Sequence, residues 1–384
     1  MYILLISRGI PEKKAPQWGC FEYDQAKALH KAGHKVVVFS VDQRFRINIT
    51  QLGIHRTEKD GITAYNNIVL PKAVTSLSGK TANERYVAKQ WRKLYKTILE
   101  QEGKPDIIYA HYLFNIYRAT NYLQTDIPIV GIEHWSEIKK NVLPAYIQRM
   151  AEQSYSRVDK LISVSEATRQ TIKTQFNVDS LVVNDMVGEE FVSQEIPTKS
   201  STHDTVRFIA VGSLIKRKGF DLLISAFAKA DLPEGSWSLQ IIGNGEERQQ
   251  LEKQIETLHL TNNITIIGQQ NKDDIIRLLN LSDVFALPSR METFGVVYIE
   301  ALALGLPVIA TPCGGPEEFI SRHNGLLVAI DDIDELAKAL KYMHAHHSEY
   351  DRQVIADKCR SRFSPEVIAA QLTRIFADII RDKQ

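Results

Sequence analysis

The sequence lacks the features that mark membrane-spanning, disulfide-bonded and zinc-binding proteins. It contains no run of about 18 apolar residues, so we expect no transmembrane helix. The three cysteines, Cys20, Cys313 and Cys359, are far apart, odd in number and outside any Cys-x-x-C or Cys/His ligand spacing. This pattern indicates neither disulfides nor a zinc site, and a reducing compartment fits it best.

A targeting segment and a strong net charge are also missing. The first residues, MYILLISRGIPEKK, have too short an apolar run for a signal peptide and no cationic start, so we expect a cytoplasmic protein. Lys and Arg number 47 and Asp and Glu 46, which gives a net charge of +1. With no recognition motif present, nucleic-acid binding has little support.

The charge is nevertheless unevenly distributed. Residues 1–100 contain 17 Lys and Arg against 8 Asp and Glu, and the remainder of the chain is correspondingly acidic. A basic first part suits contact with an anionic membrane surface or an anionic substrate. A solvated basic surface without a partner accounts for it equally well.

The first half of the chain alternates short apolar runs with helical patterns. Apolar runs without polar alternation are typical of buried parallel strands, and helices between them indicate β-α-β winding. Gly33 is a suitable C-cap for the first helix. The pattern predicts strands at 2–6, 36–40, 47–52, 62–70, 106–110, 128–132 and 160–164, with helices at 21–31 and 83–101.

The same alternation restarts after a polar segment, IPTKSSTHDT at 196–205, which indicates a linker. The fold class is therefore α/β, with two doubly wound, Rossmann-like parallel sheets that face each other across a ligand-binding cleft. The predicted domains are 1–195 and 196–364, followed by a terminal helix, 365–384. The second half has predicted strands at 206–211, 238–242, 263–267, 283–287, 307–310 and 325–328, and helices at 220–229, 246–258 and 272–281.

The segment 286–318, ALPSRMETFGVVYIEALALGLPVIATPCGGPEE, has the composition of an anion-binding site. Glu292 and Glu300 are separated by seven residues, and 294–297 is predicted to be the first turn of a helix. Helix N-termini present unpaired N–H groups, which suit the phosphates of a ligand. Eight helical positions span about 12 Å, which is roughly the distance from the hexose, past the diphosphate, to the ribose of a sugar linked to a nucleotide. The alternative for these two carboxylates is a charge at the start of a helix and a surface salt bridge. We favour a functional role, because the neighbours of Glu300 are apolar and a buried carboxylate needs partners.

A second anion-binding feature is the loop GSLIKRKG at 212–219, which follows one predicted strand and precedes a helix. Its cations, including Arg217 and Lys218, suit a diphosphate, although a solvated basic turn is the alternative. The loop lacks the spacing of a P-loop, and the glycines at 243 and 245 lack the third glycine of a dinucleotide fingerprint. The Asp332-Ile333-Asp334 sequence is predicted to cap a helix, so we infer no metal site there.

Several segments together resemble the family-4 glycosyltransferases of the GT-B fold. The matching text in the second half is GSLIKRKGFDLLISAF, IIGNGEERQQLE, NITIIGQQ, the segment 286–318 and NGLLV. The first half matches through WGCFEYDQAKALHKAGHKVVVFS, IVGIEHWSEI and VDKLISVSEATRQTI. The resemblance covers most of the chain and implies the GT-B fold, in which the terminal helix crosses back onto the first domain.

The resemblance also implies roles for individual residues. Arg217 and Lys218 correspond to cations that bind the donor diphosphate, Glu292 to a carboxylate that meets the donor sugar, and Glu300 to one that binds the ribose. His134 corresponds to a histidine that faces the transferred sugar, although a structural histidine is the alternative. The remaining donor-binding positions are Gly19 and Gly212 near the phosphates, Phe294, Gly295 and Val296 with their backbone N–H groups, and Ile267 and Gln269 beside the base.

The implied activity is a retaining transfer of a hexose or N-acetylhexosamine from a nucleotide sugar, with a UDP-sugar preferred, and without a metal or other cofactor. The acceptor is expected to be a saccharide or a polyprenyl-linked molecule of bacterial surface polysaccharide synthesis. The helix at 83–101 combines five cations with Trp91 and Tyr95, which suits an anionic membrane; the alternative is an amphipathic helix that packs Trp91 and Leu94 inward. A sugar-nucleotide epimerase of the same fold and a non-catalytic nucleotide-sugar-binding protein remain as alternative functions.

Overall fold

The computed structural model describes residues 1–12, 18–44, 51–71, 77–140, 142–197 and 205–383, and only the backbone of 77–81. The chain divides into two compact units. Unit 1 consists of Met1–Val164, Thr168–Asn184 and Pro365–Gln384, and unit 2 of Ser165–Ala167 and Asp185–Ser364.

Unit 1 is built on an eight-stranded sheet with the order β3-β4-β2-β1-β5-β6-β7-β8. All neighbouring strands are parallel except β3 and β4, which are antiparallel. The central strand YILLI is buried at every position, as expected for a strand covered on both faces. The strands are β1 (Tyr2–Ile6), β2 (Lys35–Gln43), β3 (Gly53–Lys59), β4 (Ile62–Val69), β5 (Ile107–His111), β6 (Ile129–Glu133), β7 (Lys160–Ser163) and β8 (Leu181–Val182).

Helices cover this sheet and bury its apolar side chains. One core cluster joins side chains of β1, β2 and β5 to apolar side chains of α2, α3 and α4. The helices are α1 (Cys20–Lys31), α2 (Leu77–Glu102), α3 (Leu113–Tyr122), α4 (Ala145–Tyr155) and α5 (Glu166–Phe176). The predicted β-α-β winding is therefore confirmed in the first half of the chain.

The last helix of the chain, α13 (Pro365–Asp382), packs on α1 within unit 1. The ring of Phe376 is fully buried and lies 5.0 Å from the ring of Tyr109 on β5. His34 Nε2 and Thr373 Oγ1 are 2.8 Å apart. The return of the terminal helix to the first sheet, which the resemblance implied, is thus present.

Strand β3 was not predicted. Its sequence, GIHRTEK, carries four polar or charged side chains at its end and is largely exposed, so it has none of the apolar signal of a buried strand. It pairs antiparallel with β4 across a turn in which Asp60 and Gly61 both have left-handed φ. The strand that we predicted at 47–52 lies outside the described residues except for Gln51 and Leu52, which are not in a strand.

Helix α2 is amphipathic, which corrects our interpretation of its aromatic residues. Trp91 and Tyr95 are buried in the core. The ring centroids of Trp91 and Phe39 are 4.7 Å apart. They are therefore unavailable to a membrane, and the inward-packing alternative is right for them. The cations of the helix remain exposed: Arg85, Lys89, Arg92, Lys93 and Lys96.

Unit 2 contains a six-stranded, all-parallel sheet with the order β11-β10-β9-β12-β13-β14. Its strands are β9 (Val206–Val211), β10 (Trp237–Ile242), β11 (Ile264–Gly268), β12 (Val284–Ala286), β13 (Val308–Ala310) and β14 (Gly325–Leu327). Its helices are α6 (Glu189–Val192), α7 (Phe220–Ala230), α8 (Arg248–Thr257), α9 (Lys272–Asn280), α10 (Val296–Ala303), α11 (Ile333–His346) and α12 (Arg352–Phe363). Every strand predicted for the second half is present, and each end agrees within one residue.

The described helices include none that is long and apolar enough to cross a membrane. The linker predicted at 196–205 lies outside the described residues except for Ile196, Pro197 and Thr205. Asp332 caps α11 as predicted, because its carboxylate accepts a hydrogen bond of 2.8 Å from the backbone N–H of Glu335.

Candidate functional site

A cationic turn follows β9 at the carboxyl end of the unit 2 sheet. Residues Lys216–Lys218 form one 3-10 turn, and Gly219 then takes a left-handed conformation with φ 71° before α7 begins. A Cβ atom at Gly219 would lie 2.1 Å from the carbonyl oxygen of Pro288, so only glycine allows this close approach. The turn is therefore seated directly against the loop that follows β12.

Glu292 belongs to that loop and is held by two donors. Its Oε1 atom accepts hydrogen bonds from Lys218 Nζ at 2.6 Å and from Ser289 Oγ at 2.7 Å. Its backbone N–H donates to the carbonyl oxygen of Cys313 at 3.0 Å. Only 6% of Glu292 is exposed, and a carboxylate with so little water needs such charged and polar partners. The structure thus brings together Lys218 and Glu292, two residues selected from separate motifs.

Helix α10 begins directly after this loop. Phe294 is fully buried, Gly295 is the left-handed N-cap with φ 99°, and Val296 is the first helical residue. The backbone N–H groups of such a first turn have no partners inside the helix. We estimated a span of about 12 Å on the assumption that Glu292 and Glu300 lie on one helix. That assumption was wrong, because Glu292 precedes α10. Glu300, the fifth helical residue, is half-buried on the same helix.

The segment after β13 supports the start of α10. A Cβ atom at Gly315 would lie 2.2 Å from the carbonyl oxygen of Phe294, so the two backbones are in direct contact. The carboxylate of Glu317 accepts hydrogen bonds of 3.0 Å from the N–H groups of Gly314 and Gly315. A 3-10 turn, Pro316–Glu318, follows.

The predicted phosphate and base positions line adjacent strand ends. Gly212 follows β9, and its N–H donates to the carbonyl oxygen of Ile242 at 2.9 Å. A Cβ atom at Gly243 would lie 1.8 Å from the carbonyl oxygen of Gly212, so the ends of β9 and β10 nearly touch. Ile267 is half-buried in β11, and Gln269 is exposed just beyond it. These residues therefore share one edge of the sheet with the cationic turn.

Two residues that fix the cationic turn were missed by sequence reasoning. Arg290 donates to both carboxylate oxygens of Asp221 on α7, at 2.9 and 3.0 Å. The same side chain reaches the carbonyl oxygen of Lys216 at 2.5 Å, and its backbone N–H donates to the carbonyl oxygen of Arg217 at 2.7 Å. Arg290 was inside the quoted motif and Asp221 inside GFDLL, but nothing in either sequence pattern indicates that they pair.

The thiol of Cys313 stays protonated in this site, because its surroundings disfavour the thiolate. Burial, assisted by the charge of Glu292, raises the pKa of the Cys313 thiol to about 12. Cys313 is thus a small protonated side chain at neutral pH. Among the residues that the structure describes, no group of three or more His, Cys, Asp and Glu is arranged to hold a metal ion.

In unit 1, His134 lies at the carboxyl end of the sheet, just after β6. Its Nε2 atom is 3.2 Å from Nδ1 of His111, the last residue of β5, and its ring centroid is 5.0 Å from that of Tyr112. Tyr112 in turn carries the Arg8 guanidinium 3.8 Å from its ring centroid. The sequence interpretation selected His134 and missed His111, although both residues end apolar strands.

Gly19 lies at the start of α1, the first helix of unit 1. It is the left-handed N-cap of α1, with φ 77°, and a Cβ atom there would lie 2.2 Å from the carbonyl oxygen of Gly9. One turn later Glu22, which is fully buried, accepts hydrogen bonds from the backbone N–H and the guanidinium of Arg8. The glycine thus allows the loop after β1 to fold closely onto the start of α1.

Comparison with known proteins gives two family matches. Residues 23–184 match the family described as Glycosyltransferase Family 4, and residues 192–358 match Glycosyl transferases group 1. Together these matches account for most of both units.

Similar proteins include an N-acetyl-alpha-D-glucosaminyl L-malate synthase of Bacillus anthracis, which is 24% identical over 93% of this chain and 92% of its own. A putative teichuronic acid biosynthesis glycosyltransferase of Bacillus subtilis strain 168 is 26% identical over 90% of both chains. Among solved structures, HepE of Anabaena in complex with UDP superposes with a TM-score of 0.74 at 18% identity, covering 98% of this chain and 99% of that one. At this identity the last similarity establishes the fold alone.

Proposed function

This chain belongs to the family-4 glycosyltransferases of the GT-B fold, and we propose that it transfers a hexose or N-acetylhexosamine from a UDP-sugar to an acceptor hydroxyl, with retention of configuration. The observation that carries the proposal is the Lys218–Glu292 pair beside the start of α10. A cation, a buried carboxylate and a helix N-terminus in one place suit a sugar joined to a diphosphate.

In the proposed reaction, the bond between the sugar and the diphosphate breaks as negative charge grows on the leaving phosphate. Arg217 and Lys218 would stabilise this charge together with the N–H groups of Phe294, Gly295 and Val296, because fixed cations and donors act most strongly where charge develops. Two side-chain cations meet this need, so the proposal includes no metal or other cofactor. No residue is assigned as a covalent nucleophile. The acceptor is proposed to attack the same face of the sugar from which the leaving group departs.

The remaining donor contacts follow the positions of the side chains along the sheet edge. Glu292 is proposed to bind sugar hydroxyls and Glu300 the ribose hydroxyls. Gly212 would lie beside the phosphates, and Ile267 and Gln269 beside the base. In unit 1, Gly19 is proposed to approach the phosphates and His134 the transferred sugar.

Uridine is the proposed base because the structurally similar HepE was solved with UDP. The acceptor is proposed to be a saccharide or a polyprenyl-linked molecule of bacterial surface polysaccharide synthesis, which the putative teichuronic acid glycosyltransferase supports. The similar N-acetyl-alpha-D-glucosaminyl L-malate synthase supports a small hydroxy acid as an alternative acceptor.

A donor screen tests the proposal. Thermal-shift measurements with UDP-glucose, UDP-N-acetylglucosamine, GDP-mannose and ADP-glucose should show the largest stabilisation with a UDP-sugar, because a ligand that binds only the folded state raises its unfolding temperature. The preferred donor is then incubated with L-malate or with a polyprenyl-diphosphate sugar, and NMR of the product reports its anomeric configuration. An inverted product, or a preference for GDP- or ADP-sugars, would contradict the corresponding part of the proposal.

The same incubation without an acceptor separates the alternatives. An epimerase would convert the UDP-sugar to its epimer, and a binding protein would leave it intact across every acceptor. The Glu292→Gln variant serves as the control, because hydrolysis that slows with this substitution arises from the proposed site.

Peripheral contact with an anionic membrane is proposed for the exposed face of α2. Arg85, Lys89, Arg92 and Lys93 are exposed there, and each cation near an anionic surface contributes about 1 kcal/mol. Flotation with vesicles of phosphatidylglycerol should capture the protein, and the triple variant Lys89→Gln, Arg92→Gln, Lys93→Gln should remain unbound. Equal flotation of both proteins would remove α2 as the contact surface.

A further inference from the structure

Two histidines of unit 1 lie next to each other at the carboxyl end of its sheet. His134 Nε2 and His111 Nδ1 are 3.2 Å apart, the ring planes differ by 3°, and the ring centroids are separated by 5.3 Å. The rings are therefore nearly parallel, and one nitrogen of each ring lies within hydrogen-bond distance of the other.

The surroundings of His111 restrict its protons. His111 is fully buried, and among the described residues its buried Nε2 atom has no hydrogen-bond partner. Burial, together with repulsion from a protonated His134 and from Arg8, holds the pKa of His111 well below its usual value. The titratable and charged groups around the pair are Arg8 from the loop after β1, Glu22 from α1, Tyr109 from β5, Tyr112 before α3 and Glu133, the last residue of β6.

We propose that His111 is a positioning residue, which donates its Nδ1–H to Nε2 of His134 and so fixes the tautomer and the orientation of that ring. This inference rests on the proposed function, in which His134 meets the transferred sugar. The direction of donation follows from burial. Donation from Nδ1 leaves a lone pair at the buried Nε2 atom of His111, whereas the reverse would bury an N–H group there without an acceptor.

The pairing also keeps His134 uncharged. A proton added to its Nε2 atom would face the N–H of His111, and His111 could give way only by moving its own proton to the buried, unpartnered nitrogen. Glycosyl transfer passes through a state in which the sugar ring carries positive charge. An uncharged imidazole avoids repelling that charge, so the buried partner supports transfer without touching the substrate.

NMR of the imidazole nitrogens tests the pairing directly. In full-length protein labelled with ¹⁵N-histidine, long-range ¹H–¹⁵N correlations report the tautomer of each ring, and His111→Asn and His134→Asn identify the two residues. We expect a protonated Nδ1 on His111, an unprotonated Nε2 on His134, and no titration of either ring from about pH 6 to pH 8. A protonated Nε2 on His111, or a His134 that titrates like an exposed histidine, would overturn the inference.

Turnover of the preferred UDP-sugar supplies the second readout. His111→Phe keeps a ring but removes the hydrogen-bond donor Nδ1–H. We therefore expect kcat to fall about tenfold with little change in the KM for the UDP-sugar. Its pH profile should gain a loss of activity below about pH 6.5, where a released His134 becomes protonated. His111→Asn offers an amide donor in place of Nδ1–H and should recover part of kcat. Equal, pH-independent losses in both variants would indicate a merely structural histidine.

The matched control is His55→Phe, which replaces a half-buried histidine of β3 in the same unit. It should leave kcat and the pH profile unchanged. The two proposals fail separately. If no UDP-sugar is consumed by the unmodified protein, the proposed function fails while the NMR still decides the pairing; if it is consumed and His111→Phe behaves like His55→Phe, the positioning role alone fails.

Discussion

The guanidinium of Arg290 binds both carboxylate oxygens of Asp221, with Nη1–Oδ1 at 2.9 Å and Nη2–Oδ2 at 3.0 Å. Because Arg290 also bonds to the carbonyl oxygens of Lys216 and Arg217, this pair fixes the backbone of the cationic turn to the loop that carries Glu292. A planar, two-pronged donor is required for this geometry, and a lysine cannot reproduce it.

Arg290→Lys should therefore weaken donor binding although the charge is retained. We expect the Kd for the preferred UDP-sugar, measured by calorimetry, to rise about tenfold, which corresponds to about 1.4 kcal/mol. The control is Arg322→Lys, at an exposed arginine of the same unit, which should bind as before. An unchanged Kd in Arg290→Lys would show that the turn keeps its position without the pair.

The Asp221 carboxylate also predicts how stability depends on pH. Burial alone would raise the pKa of Asp221, but hydrogen bonds from Arg290 and Lys216 outweigh it and lower the pKa below the usual 3.8. A group of this kind stabilises the folded state above its unfolded pKa and loses that contribution as the pH falls through the folded pKa. Urea unfolding from pH 6 down to about pH 3 should show a steeper loss for the unmodified protein than for Asp221→Asn. Parallel curves would contradict the prediction.

Glu292 and Lys218 are expected to act as a unit in catalysis. Glu292→Gln and Lys218→Ala should each lower the rate of sugar transfer at least about tenfold, or about 1.4 kcal/mol. The matched control is Lys229→Ala, which removes one partner of the exposed Lys229–Asp334 pair in the same unit and should leave the rate unchanged. Normal turnover in either site variant would remove the role assigned to that residue.

The seating of the cationic turn can be tested with two glycines of nearly equal conformation. Gly219 and Gly235 have φ of 71° and 73°. A Cβ atom at Gly219 would clash with the carbonyl oxygen of Pro288, whereas one at Gly235 would have no neighbour within 4 Å. Alanine therefore adds backbone strain at both positions and a steric clash only at Gly219. Gly219→Ala should lower the unfolding temperature and the donor affinity well beyond Gly235→Ala, and similar losses would mean that strain alone accounts for both.

The thiols near the proposed donor site should resist alkylation. Burial raises the pKa of Cys313 and of Cys359 to about 12, and the thiolate is the reactive form. Iodoacetamide at pH 8 should therefore leave both residues unmodified in the folded protein and label them after urea unfolding, as peptide mass spectrometry would show. Rapid labelling of folded Cys313 would indicate that the site opens far more than its burial suggests.

Much of the fold could be predicted because buried parallel strands leave a strong signal. Apolar runs such as YILLI and VVVFS are unambiguous, whereas GIHRTEK at the sheet edge is polar and pairs only through its backbone. The N-cap of α10 was misplaced because a left-handed Gly295 inside a continuous apolar segment leaves no polar boundary.

The site was predictable only where motif spacing carries information. Glu292 and Lys218 were selected from local patterns and His134 through the family resemblance, but their partners were not selected. The roles of these partners depend on the folded chain. Asp221 and His111 contact residues of other segments, and Ser289 contacts the nearby Glu292 because of the direction of its side chain. No periodicity or spacing in one sequence encodes such pairings.

The placement of α13 has a consequence for how the protein is made. The helix belongs to unit 1, yet the segment Asp185–Ser364 of unit 2 is synthesised before it. At about 5–20 residues per second, the ribosome needs roughly 10 to 40 s for that segment. During this interval the surface around Tyr109 and α1 lacks the helix that covers it. The domain encoded first is therefore completed last, and a nascent chain must shield an apolar surface until its final helix emerges.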